Sequence, residues 1–328
     1  MNREEIAAIG VDVGGTKIAA GLVSARGEII ARQRELIQKG RGDGLTPAKQ
    51  IGAMVSSLRS VARGRGFGVA GCGVAVPSFV NRTSGEVRWA PNIDGWKDFP
   101  LGRLLEDWTG LPITLDYDGS AAVLGEQWVG AAHGASDVAL IIVGTGIGAG
   151  FIFDGHVYRG ASGLAGGIGW SCLESEAIGE PLLGAGGFLE TVAAGPGIAR
   201  RFCLQQRAAG VVVAPPDVTA RDVFDLASAG NAVALSVMRD TARYIGMAVA
   251  NLVSTLNPEV VVLGGGVGRH LGPYLDGIRD IVRQTAQPQA MKESKVVTSA
   301  LGDDAGIVGS ARSILDFVSQ RGGDEPAS

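Results

Sequence analysis

Residues Ile9–Val23 read IGVDVGGTKIAAGLV, and residues Leu140–Phe153 read LIIVGTGIGAGFIF. Each stretch consists of an apolar run, a short turn that contains glycine and threonine, and a second apolar run. This pattern is typical of two strands joined by a tight turn. Because the same pattern occurs once in each half of the chain, the sequence predicts a duplicated architecture.

Further strands and helices follow each copy of this pattern. Apolar periodicity and turn signals predict strands at Glu28–Arg34, Phe67–Val76, Ile113–Leu115, His156–Tyr158, Val260–Leu263 and Val296–Val297. They predict helices at Thr46–Ala62, Leu101–Trp108, Ser120–Ala132, Val233–Leu256, Tyr274–Thr285 and Ile307–Gln320. Strands that alternate with helices indicate an α/β fold. Gly160–Gly197 is a long glycine-rich connection, which favours a binding loop over disorder.

The composition excludes several classes of protein. The chain has 328 residues, of which 46% are hydrophobic and 19% are charged, and its net charge is −4. These values exclude a disordered chain and a polycation, so we expect no nucleic-acid partner. The longest apolar stretch, Val138–Phe153, is interrupted by glycines and is shorter than the ~20 residues of a membrane-spanning helix. We therefore expect no membrane partner.

Neither the N-terminus nor the cysteines indicate export. The first residues lack the basic region, apolar run and cleavage site of a signal peptide, so a cytoplasmic location is expected. Cys72, Cys172 and Cys203 form no CxxC spacing. We interpret these three cysteines as small buried apolar residues rather than as a disulfide framework or metal ligands.

The first glycine turn has the chemistry of a phosphate-binding loop. Its residues are Asp12, Gly14, Gly15, Thr16 and Lys17. Glycine lets a ligand approach the backbone closely, the N–H groups and Thr16 can donate to phosphate oxygens, and Asp12 can hold a hydrated Mg²⁺ ion. An ordinary hairpin turn explains the glycines alone, but it does not explain the flanking Asp12 and Lys17.

Two further glycine turns need separate interpretation. The sequence GTGIGA at Gly144–Ala149 matches the dinucleotide-binding pattern GxGxxA, which should open a helix. Here a strand-like run follows and ends in Asp154-Gly155, which is a hairpin signal, so a nicotinamide enzyme is disfavoured. GGGVG at Gly264–Gly268 is a weak signal alone. Three glycine turns at strand ends, two of them in duplicated hairpins, are harder to explain as ordinary turns.

Taken in order, these motifs resemble those of the ROK sugar kinases. The shared motifs are DVGGTK at Asp12–Lys17, PNIDGW at Pro91–Trp96, DYDGSAAVLGE at Asp116–Glu126, IIVGTGIGAGFIFDGHVYRGASGLAG at Ile141–Gly166 and VVLGGGVG at Val261–Gly268. The resemblance covers nearly the whole chain. It implies an α/β, two-lobed actin/hexokinase-like fold, which is a duplicated ribonuclease H-like fold. The implied lobes are a small one of residues 1–118 and 306–328 and a large one of residues 119–305.

The resemblance also implies roles for site residues, with ATP and Mg²⁺ as cofactors. Asp12, Gly14, Gly15, Thr16 and Lys17 would form the first phosphate loop, Gly144, Thr145 and Gly146 the second, and Gly264, Gly265 and Gly266 the adenosine site. Asp118 falls on the catalytic aspartate, where a carboxylate can accept the proton of an alcohol. A helix N-cap is the alternative role for Asp118, and the two roles are compatible. In an extended segment Asp116 would share a face with Asp118 and compete for the base role, but the motif register favours Asp118.

The acceptor side departs from the family pattern. Tyr117 stands where the family usually has an asparagine that binds sugar hydroxyls. Asn92 and Glu190 match acceptor-binding positions, with turn formation and a helix-surface carboxylate as their alternative roles. Gly167 and Trp170 replace the Glu and His that, in the family, hydrogen-bond to the sugar near its anomeric end. Because such a site disfavours substrates whose hydroxyls would stay unpaired, the acceptor is expected to lack an ordinary anomeric centre.

The zinc ligands of the family are replaced as well. Trp170, Pro181, Leu183 and Phe188 occupy those positions, and none of these side chains binds zinc. The sequence therefore predicts no structural zinc, and an apolar cluster of these four residues is expected to fasten the loop instead. Cys172 lies nearby without a partner at metal-binding spacing, which favours core packing.

The leading hypothesis is an ATP- and Mg²⁺-dependent kinase that phosphorylates a primary hydroxyl of a hexose or hexose-like acceptor. Glucose, an aminosugar such as kanosamine and a C7-cyclitol such as a valiolone all stay open, as does assembly as a homodimer. A sugar-responsive repressor is disfavoured because the first strand starts near Ala7 and leaves no room for an N-terminal helix-turn-helix. A non-catalytic sugar or nucleotide binder is disfavoured because Asp118 and the three glycine turns are retained.

Overall fold

The computed structural model describes residues 5–38, 40, 42–77, 79–90, 92–179, 186–210 and 218–322. The chain divides into two compact units. The first unit comprises the described residues of Met1–Gly134, Val157–Ala165 and Asp304–Ser328. The second unit comprises those of Ala135–His156 and Gly166–Asp303.

The first unit is built on a five-stranded sheet. Its elements are β1 (Glu5–Val13), β2 (Lys17–Ser24), β3 (Ile29–Leu36), α1 (Leu45–Gly64), β4 (Phe67–Val76), β5 (Phe79–Asn81), β6 (Glu86–Trp89), β7 (Lys97–Phe99), α2 (Leu101–Thr109), β8 (Ile113–Tyr117), α3 (Asp118–Val129) and, at the end of the chain, α11 (Ala305–Gly322). The strand order is β3-β2-β1-β4-β8, and β5, β6 and β7 form a separate small sheet. Strand β2 runs antiparallel to β1, whereas β4 and β8 run parallel to it.

Helices cover both faces of this sheet, which explains why β1 is apolar along most of its length. One face packs against α1 and α2 in a core that includes Ile9 and Leu58. The other face packs against α11, where Ala8 lies in a cluster with Ile307. Helix α11 approaches the strands so closely that a Cβ atom on Gly73 would overlap its backbone.

The remaining elements, most of which belong to the second unit, repeat this sheet. They are β9 (Val138–Val143), β10 (Ile147–Phe153), β11 (His156–Tyr158), α4 (Phe188–Ala193), α5 (Gly195–Ala208), α6 (Ala220–Ser228), α7 (Ala232–Leu256), β12 (Val260–Gly264), α8 (Gly265–Gly268), α9 (Leu275–Thr285), α10 (Pro288–Glu293) and β13 (Lys295–Thr298). The order β11-β10-β9-β12-β13 matches that of the first sheet, strand for strand. Strand β10 runs antiparallel to β9, and β12 runs parallel to it. The predicted duplicated α/β fold is therefore confirmed.

The hairpin signal at Asp154-Gly155 is also confirmed. The φ angles of Asp154 and Gly155 are 50° and 76°, as a type I′ hairpin turn requires. Strand β10, rather than a helix, follows the second glycine turn directly. The local structure that a dinucleotide-binding GxGxxA motif needs is thus replaced by a hairpin.

Several local predictions were wrong. Helix α3 begins at Asp118 rather than near Ser120, so that Tyr117 occupies the N-cap position. The N-cap role for Asp118 is therefore incorrect. Cys72 is buried as predicted, but Cys172 is exposed, and its thiol contacts the carbonyl oxygen of Glu174 instead of the core.

The described part of the chain contains no helix that is long and apolar enough to cross a bilayer.

The division into units differs from the predicted lobe bounds at helix α3. The sequence prediction placed residues 119–305 in one lobe, whereas α3 belongs to the first unit and packs against α11. The packing is close, because a Cβ atom on Gly125 would lie 2.5 Å from the carbonyl oxygen of Ala305. The lobe bounds 1–118 with 306–328, and 119–305, stay a prediction.

Candidate active site

The first glycine turn joins β1 to β2 at residues 14–16. The Gly14 N–H group donates to the Lys17 carbonyl oxygen at 2.9 Å and closes the turn, while Gly15, Thr16 and Lys17 are exposed. A Cβ atom on Gly15 would lie 3.3 Å from the Cβ atom of Asn92. The structure therefore brings Asn92, a predicted acceptor ligand, against the turn that is predicted to bind phosphate.

Two predicted carboxylates, Asp12 and Asp118, lie close enough to influence each other. Asp12 precedes the last residue of β1, and Asp118 is the first residue of α3. Burial, and secondly the negative charge of Asp12, raise the pKa of Asp118 to about 7, although a hydrogen bond from the Gly119 N–H group to Asp118 Oδ1 (2.7 Å) opposes the shift. A carboxyl group whose pKa lies near the working pH is well matched to a general base.

Asp116 is in a different environment from Asp118. Its side chain is buried, and its Oδ1 atom accepts hydrogen bonds from Arg159 Nε (3.1 Å) and Nη2 (2.9 Å). Arg82 Nε lies 3.2 Å from the same oxygen, and the Ser313 hydroxyl donates to Oδ2. Both oxygens of Asp116 are already engaged by protein groups. This arrangement favours Asp118 over Asp116 as the proton acceptor.

Tyr117 lies between these two carboxylates and is half-buried. Its backbone is extended, with φ −64° and ψ 141°, and its side chain makes no capping hydrogen bond to α3. The side chains of successive residues in an extended segment point to opposite faces. The extended backbone therefore ends at Tyr117, and Asp118 opens the helix instead of continuing the alternation with Asp116.

The second and third glycine turns are neighbours in the second unit. They follow the parallel strands β9 and β12, which are paired up to Ile142 and Gly264. Gly265 has φ +83°, and a Cβ atom there would lie 2.5 Å from the carbonyl oxygen of Val143, so only glycine fits. By contrast, nothing lies within 4 Å of the Cβ position on Gly144 or Gly266, so a ligand can approach the backbone at both turns.

The N-terminus of α5 adjoins the second turn. The Gly144 N–H group donates to the Gly146 carbonyl oxygen at 2.9 Å, and the Gly195 N–H group donates to the Gly144 carbonyl oxygen at 2.8 Å. Thr145 is exposed at the tip of the turn. Exposed backbone beside the N-terminus of a 14-residue helix is a favourable environment for phosphate. The described residues therefore fit the predicted binding of nucleotide phosphates.

Glu190 also lies at the second turn. Its Oε2 atom accepts a hydrogen bond from the Ile147 N–H group at 2.7 Å, and a Cβ atom on Gly146 would lie 2.6 Å from the same oxygen. Gly169 is close as well, since its Cβ position is 3.1 Å from the Glu190 Cβ atom. Glu190 thus connects the turn at Gly146 with the segment that contains Gly169. The alternative role, a carboxylate on the helix surface, does not account for these contacts.

Of the four residues in the predicted apolar cluster, Trp170 and Phe188 are described, and Trp170 does not fit the prediction. Trp170 is 63% exposed, whereas Phe188 is buried and packs edge-on against Tyr244 with ring centroids 5.6 Å apart. The Tyr244 hydroxyl donates to Glu174 Oε1 at 2.7 Å and so attaches the loop to α7. Pro181 and Leu183 lie outside the described residues. Among those residues, no group of three or more His, Cys, Asp or Glu side chains could hold a metal ion.

Sequence reasoning missed the partners of Asp116. Arg82, Arg159 and Ser313 are distant from Asp116 in sequence, and only the fold brings them to it. A signal existed for Arg159, because it follows β11 directly at the start of the glycine-rich connection. No pattern in the sequence marks Arg82 or Ser313.

Comparisons with known proteins agree along nearly the whole chain. The model of the ROK family matches residues 8–316. A glucokinase of Halalkalibacterium halodurans is 36% identical over 313 residues, which cover 92% of each chain. The crystal structure of a ROK hexokinase from Thermus thermophilus has a TM-score of 0.79 at 32% identity, and that of a ROK family glucokinase from Streptomyces griseus in complex with glucose and AMPPNP has 0.78 at 30%. Each alignment covers 96% of this chain and 99% of the other.

Proposed function

The chain belongs to the ROK family, and we propose from this premise that it is an ATP-dependent sugar kinase. The reaction is transfer of the γ-phosphoryl group of ATP to a primary hydroxyl of a hexose or hexose-like acceptor. The environment of Asp118 is the observation that best supports the proposal. This half-buried carboxyl group lies beside Asp12, and its pKa is raised to about 7. ATP use is supported by the likeness to the Streptomyces griseus glucokinase, which binds glucose and AMPPNP.

In this proposal Asp118 is the general base. As the acceptor oxygen forms its bond to the γ-phosphorus, the hydroxyl proton moves to the Asp118 carboxylate. The bond between the γ-phosphorus and the β–γ bridging oxygen breaks, and ADP leaves with that electron pair. A base with a pKa near 7 is half ionised at neutral pH and still basic enough to take the proton.

The glycine turns would hold the nucleotide. Gly14 and Gly144 would shape the two phosphate turns, since their own N–H groups close them. Gly15, Thr16 and Lys17 offer N–H groups, a hydroxyl and an ammonium to phosphate oxygens, and Thr145 and Gly146 offer the second set. Gly264, Gly265 and Gly266 would border the adenosine. Asp12 would hold Mg²⁺, which usually binds one or two carboxylates together with waters and substrate phosphates. When bound, the ion neutralises charge that develops on the transferred group.

The identity of the acceptor depends on the loop around Gly167 and Trp170. Gly167 brings no side chain, and the exposed Trp170 brings a large apolar surface, where the family pattern has two hydrogen-bonding side chains. We therefore include aminosugars such as kanosamine and C7-cyclitols such as valiolones beside glucose as acceptors. The proposed acceptor ligands are Asn92 and Glu190, which match the family pattern, and Tyr117, which differs from it.

The test is an assay of ADP release, coupled to an optical readout, over a panel of hexoses, aminosugars and cyclitols. Wild-type protein should release ADP with at least one acceptor, and Asp118→Asn should release it about 10²–10⁴-fold more slowly. Asp107→Asn, an exposed change on α2, serves as the matched control and should keep full activity. If wild-type protein binds a sugar and ATP without releasing ADP, the protein is a non-catalytic binder and the proposal is wrong.

A further inference from the structure

Asp116 joins four parts of the first unit through one buried carboxylate. It belongs to β8, its Oδ2 atom accepts a hydrogen bond from Ser313 of α11, and its Oδ1 atom contacts Arg82 and Arg159. Arg82 follows β5 directly, and Arg159 follows β11. Only Tyr117 separates Asp116 from Asp118 in the sequence. A side chain with so many partners determines where several segments lie relative to the end of β8.

Arg159 is the principal partner of Asp116. Two of its nitrogens donate to Asp116 Oδ1, and Nη1 donates to the Val157 carbonyl oxygen at 3.2 Å. Arg82 contacts the same oxygen through Nε and is more exposed, at 41% against 29% for the Arg159 side chain. A guanidinium that donates two of its N–H groups to one carboxylate is held in orientation as well as in position.

Arg159 is also the first residue of a closed loop. The Ala165 N–H group donates to the Arg159 carbonyl oxygen at 3.0 Å, which closes the loop of residues 159–165. The loop lies near β5, since a Cβ atom on Gly163 would be 3.9 Å from the Val80 carbonyl oxygen. Residues 157–165 belong to the first unit, and the chain leaves that unit directly after Ala165, on its way to Gly167 and Trp170.

We propose that Asp116 is a positioning residue for the acceptor, because its contact with Arg159 holds the loop of residues 159–165 on the unit that carries Asp118. The proposal rests on the sugar-kinase function stated above and goes beyond it, since Asp116 takes no part in proton transfer. The position of the loop of residues 159–165 fixes the start of the segment that leads to Gly167 and Trp170. Loss of the contact displaces that segment while the nucleotide turns Gly144–Gly146 and Gly264–Gly266 stay intact.

The first test compares steady-state kinetics of Asp116→Asn, Arg159→Lys and Arg159→Gln. Asn keeps the size of Asp116 but removes the charge, and Lys keeps the charge of Arg159 but cannot donate from two nitrogens held in one rigid plane. We expect kcat/KM for the acceptor to fall about 10²-fold, which is the scale of a misplacement by roughly 1 Å. KM for ATP should stay within about twofold. Asp116→Glu should recover part of the loss, and the Asn/Gln double variant should lose no more than the worse single one.

A matched control is available in the same unit. Asp98→Asn breaks an exposed ion pair with Arg88 (3.0 Å) and should leave both KM values unchanged. Hydrogen exchange at the Ala165 amide gives a readout that does not need catalysis, and it should accelerate in Asp116→Asn and Arg159→Lys but not in Asp98→Asn. Arg159→Lys keeps the proposal testable if Asp116→Asn does not fold.

The outcomes separate this proposal from the proposed function. If wild-type protein phosphorylates no acceptor, the kinase proposal fails while the exchange experiment still reports whether Asp116 holds the loop. If folded Asp116→Asn and Arg159→Lys retain the wild-type KM for the acceptor and wild-type exchange at Ala165, Asp116 does not position the loop. An equal rise in both KM values would also overturn the proposal, since it would indicate a general structural role.

Discussion

Gly306, in the first turn of α11, lies against the carboxyl group of Asp12. A Cβ atom on Gly306 would be 2.7 Å from Asp12 Cγ and 2.9 Å from Oδ2, so a side chain there would displace the carboxylate. Helix α11 is 18 residues long, and the N-terminus of a helix favours a nearby negative charge. Asp12 therefore lies beside the start of a long helix, whereas burial disfavours ionisation of Asp118. The two carboxylates lie in different environments, in keeping with the two different tasks proposed for them, metal binding and proton transfer.

The first prediction concerns Gly306→Ala. The added methyl group pushes the Asp12 carboxylate away from its place, and we expect kcat to fall about 10²-fold, with a higher Mg²⁺ concentration needed for half-maximal activity. The measurement is initial rate against Mg²⁺ concentration at saturating ATP. Gly277→Ala is the matched control, because Gly277 lies in helix α9 with open space around its Cβ position. That variant should keep its activity and gain about 0.4–1 kcal/mol of stability. Equal activity of the two variants would contradict the role given to Asp12.

The second prediction concerns Asp118→Asn. Turnover should fall about 10²–10⁴-fold, since a positioned base contributes on that scale, while ATP affinity should stay within a few fold. The folded state holds a proton on Asp118 up to a pKa of about 7, but the unfolded chain releases it near the ordinary value of 3.8. The free energy of unfolding therefore falls as the pH rises through this window, and the Asn variant lacks that fall. We expect Asp118→Asn to be more stable than wild type at pH 8, as measured by thermal unfolding. Near-wild-type turnover would mean that another group is the base.

The third prediction is the pH profile of the wild-type enzyme. Because the base must be ionised, kcat/KM for the acceptor should decrease below about pH 7, tenfold for each further pH unit. The decrease should be absent from the equilibrium binding of ATP, which does not need an ionised Asp118. Rates measured between pH 5 and 9 with a pH-independent detection of ADP would check it. A rate that stays constant down to pH 5 would show that Asp118 ionises at its ordinary pKa and that its burial has no catalytic consequence.

Much of the fold was predictable because its signals are local. Strands β4, β9 and β11 have the predicted bounds, since turn-forming residues terminate each apolar run. Helices α4, α5 and α6 were not predicted. The first two lie wholly or partly within the glycine-rich stretch Gly160–Gly197, where Gly187 and Gly195 mark helix starts rather than a continuous loop. Glycine content alone does not distinguish a loop from helices that begin at glycines.

The site was less predictable than the fold. Asp12 and the glycine turns could be predicted as candidates because they adjoin strand ends, where the pattern is local, whereas Asp118 was assigned through the resemblance to the ROK motif. The exposure of Trp170 and the attachment of Glu174 to Tyr244 depend on how the loop packs, and no periodicity reports that. The same holds for Asp116. Its spacing from Asp118 suggests a competing base, but its contacts with Arg82 and Arg159 already engage the carboxylate.

The fourth prediction is that the purified protein contains no stoichiometric zinc. Trp170 and Phe188 stand at ligand positions, and the hydrogen bond between Tyr244 and Glu174 gives the loop an attachment that needs no metal. Elemental analysis should find well under one zinc per chain, and a chelator should leave the thermal unfolding midpoint of the nucleotide-free protein unchanged. One tightly bound zinc per chain, with a lower midpoint after chelation, would overturn the prediction.

The fifth prediction concerns the acceptor. Hydrogen bonds to charged groups contribute ~1.5–3 kcal/mol each, so the loss of two at Gly167 and Trp170 predicts a kcat/KM for glucose that is roughly several hundredfold or more below that of an enzyme with both groups. An aminosugar or C7-cyclitol that does not present those hydroxyls avoids this loss. Trp170 adds an exposed apolar surface that can pack against the ring of such an acceptor. The measurement is kcat/KM for glucose, aminosugars and a C7-cyclitol at identical ATP and Mg²⁺.

The structure permits the reverse experiment as well, the combined change Gly167→Glu and Trp170→His. Trp170 is 63% exposed, and only its Cδ1 atom, at 3.9 Å, lies within 4 Å of the Cβ position on Gly167, so neither change disturbs the core. The double variant should raise kcat/KM for glucose and lower it for the preferred acceptor. Gly167→Gln with Trp170→Phe keeps similar sizes without the carboxylate and imidazole, and should gain less on glucose. If wild-type protein already prefers glucose by a wide margin, neighbouring groups such as Ser162, Ser171 or Glu190 supply the missing hydrogen bonds, and the argument from the altered loop is wrong.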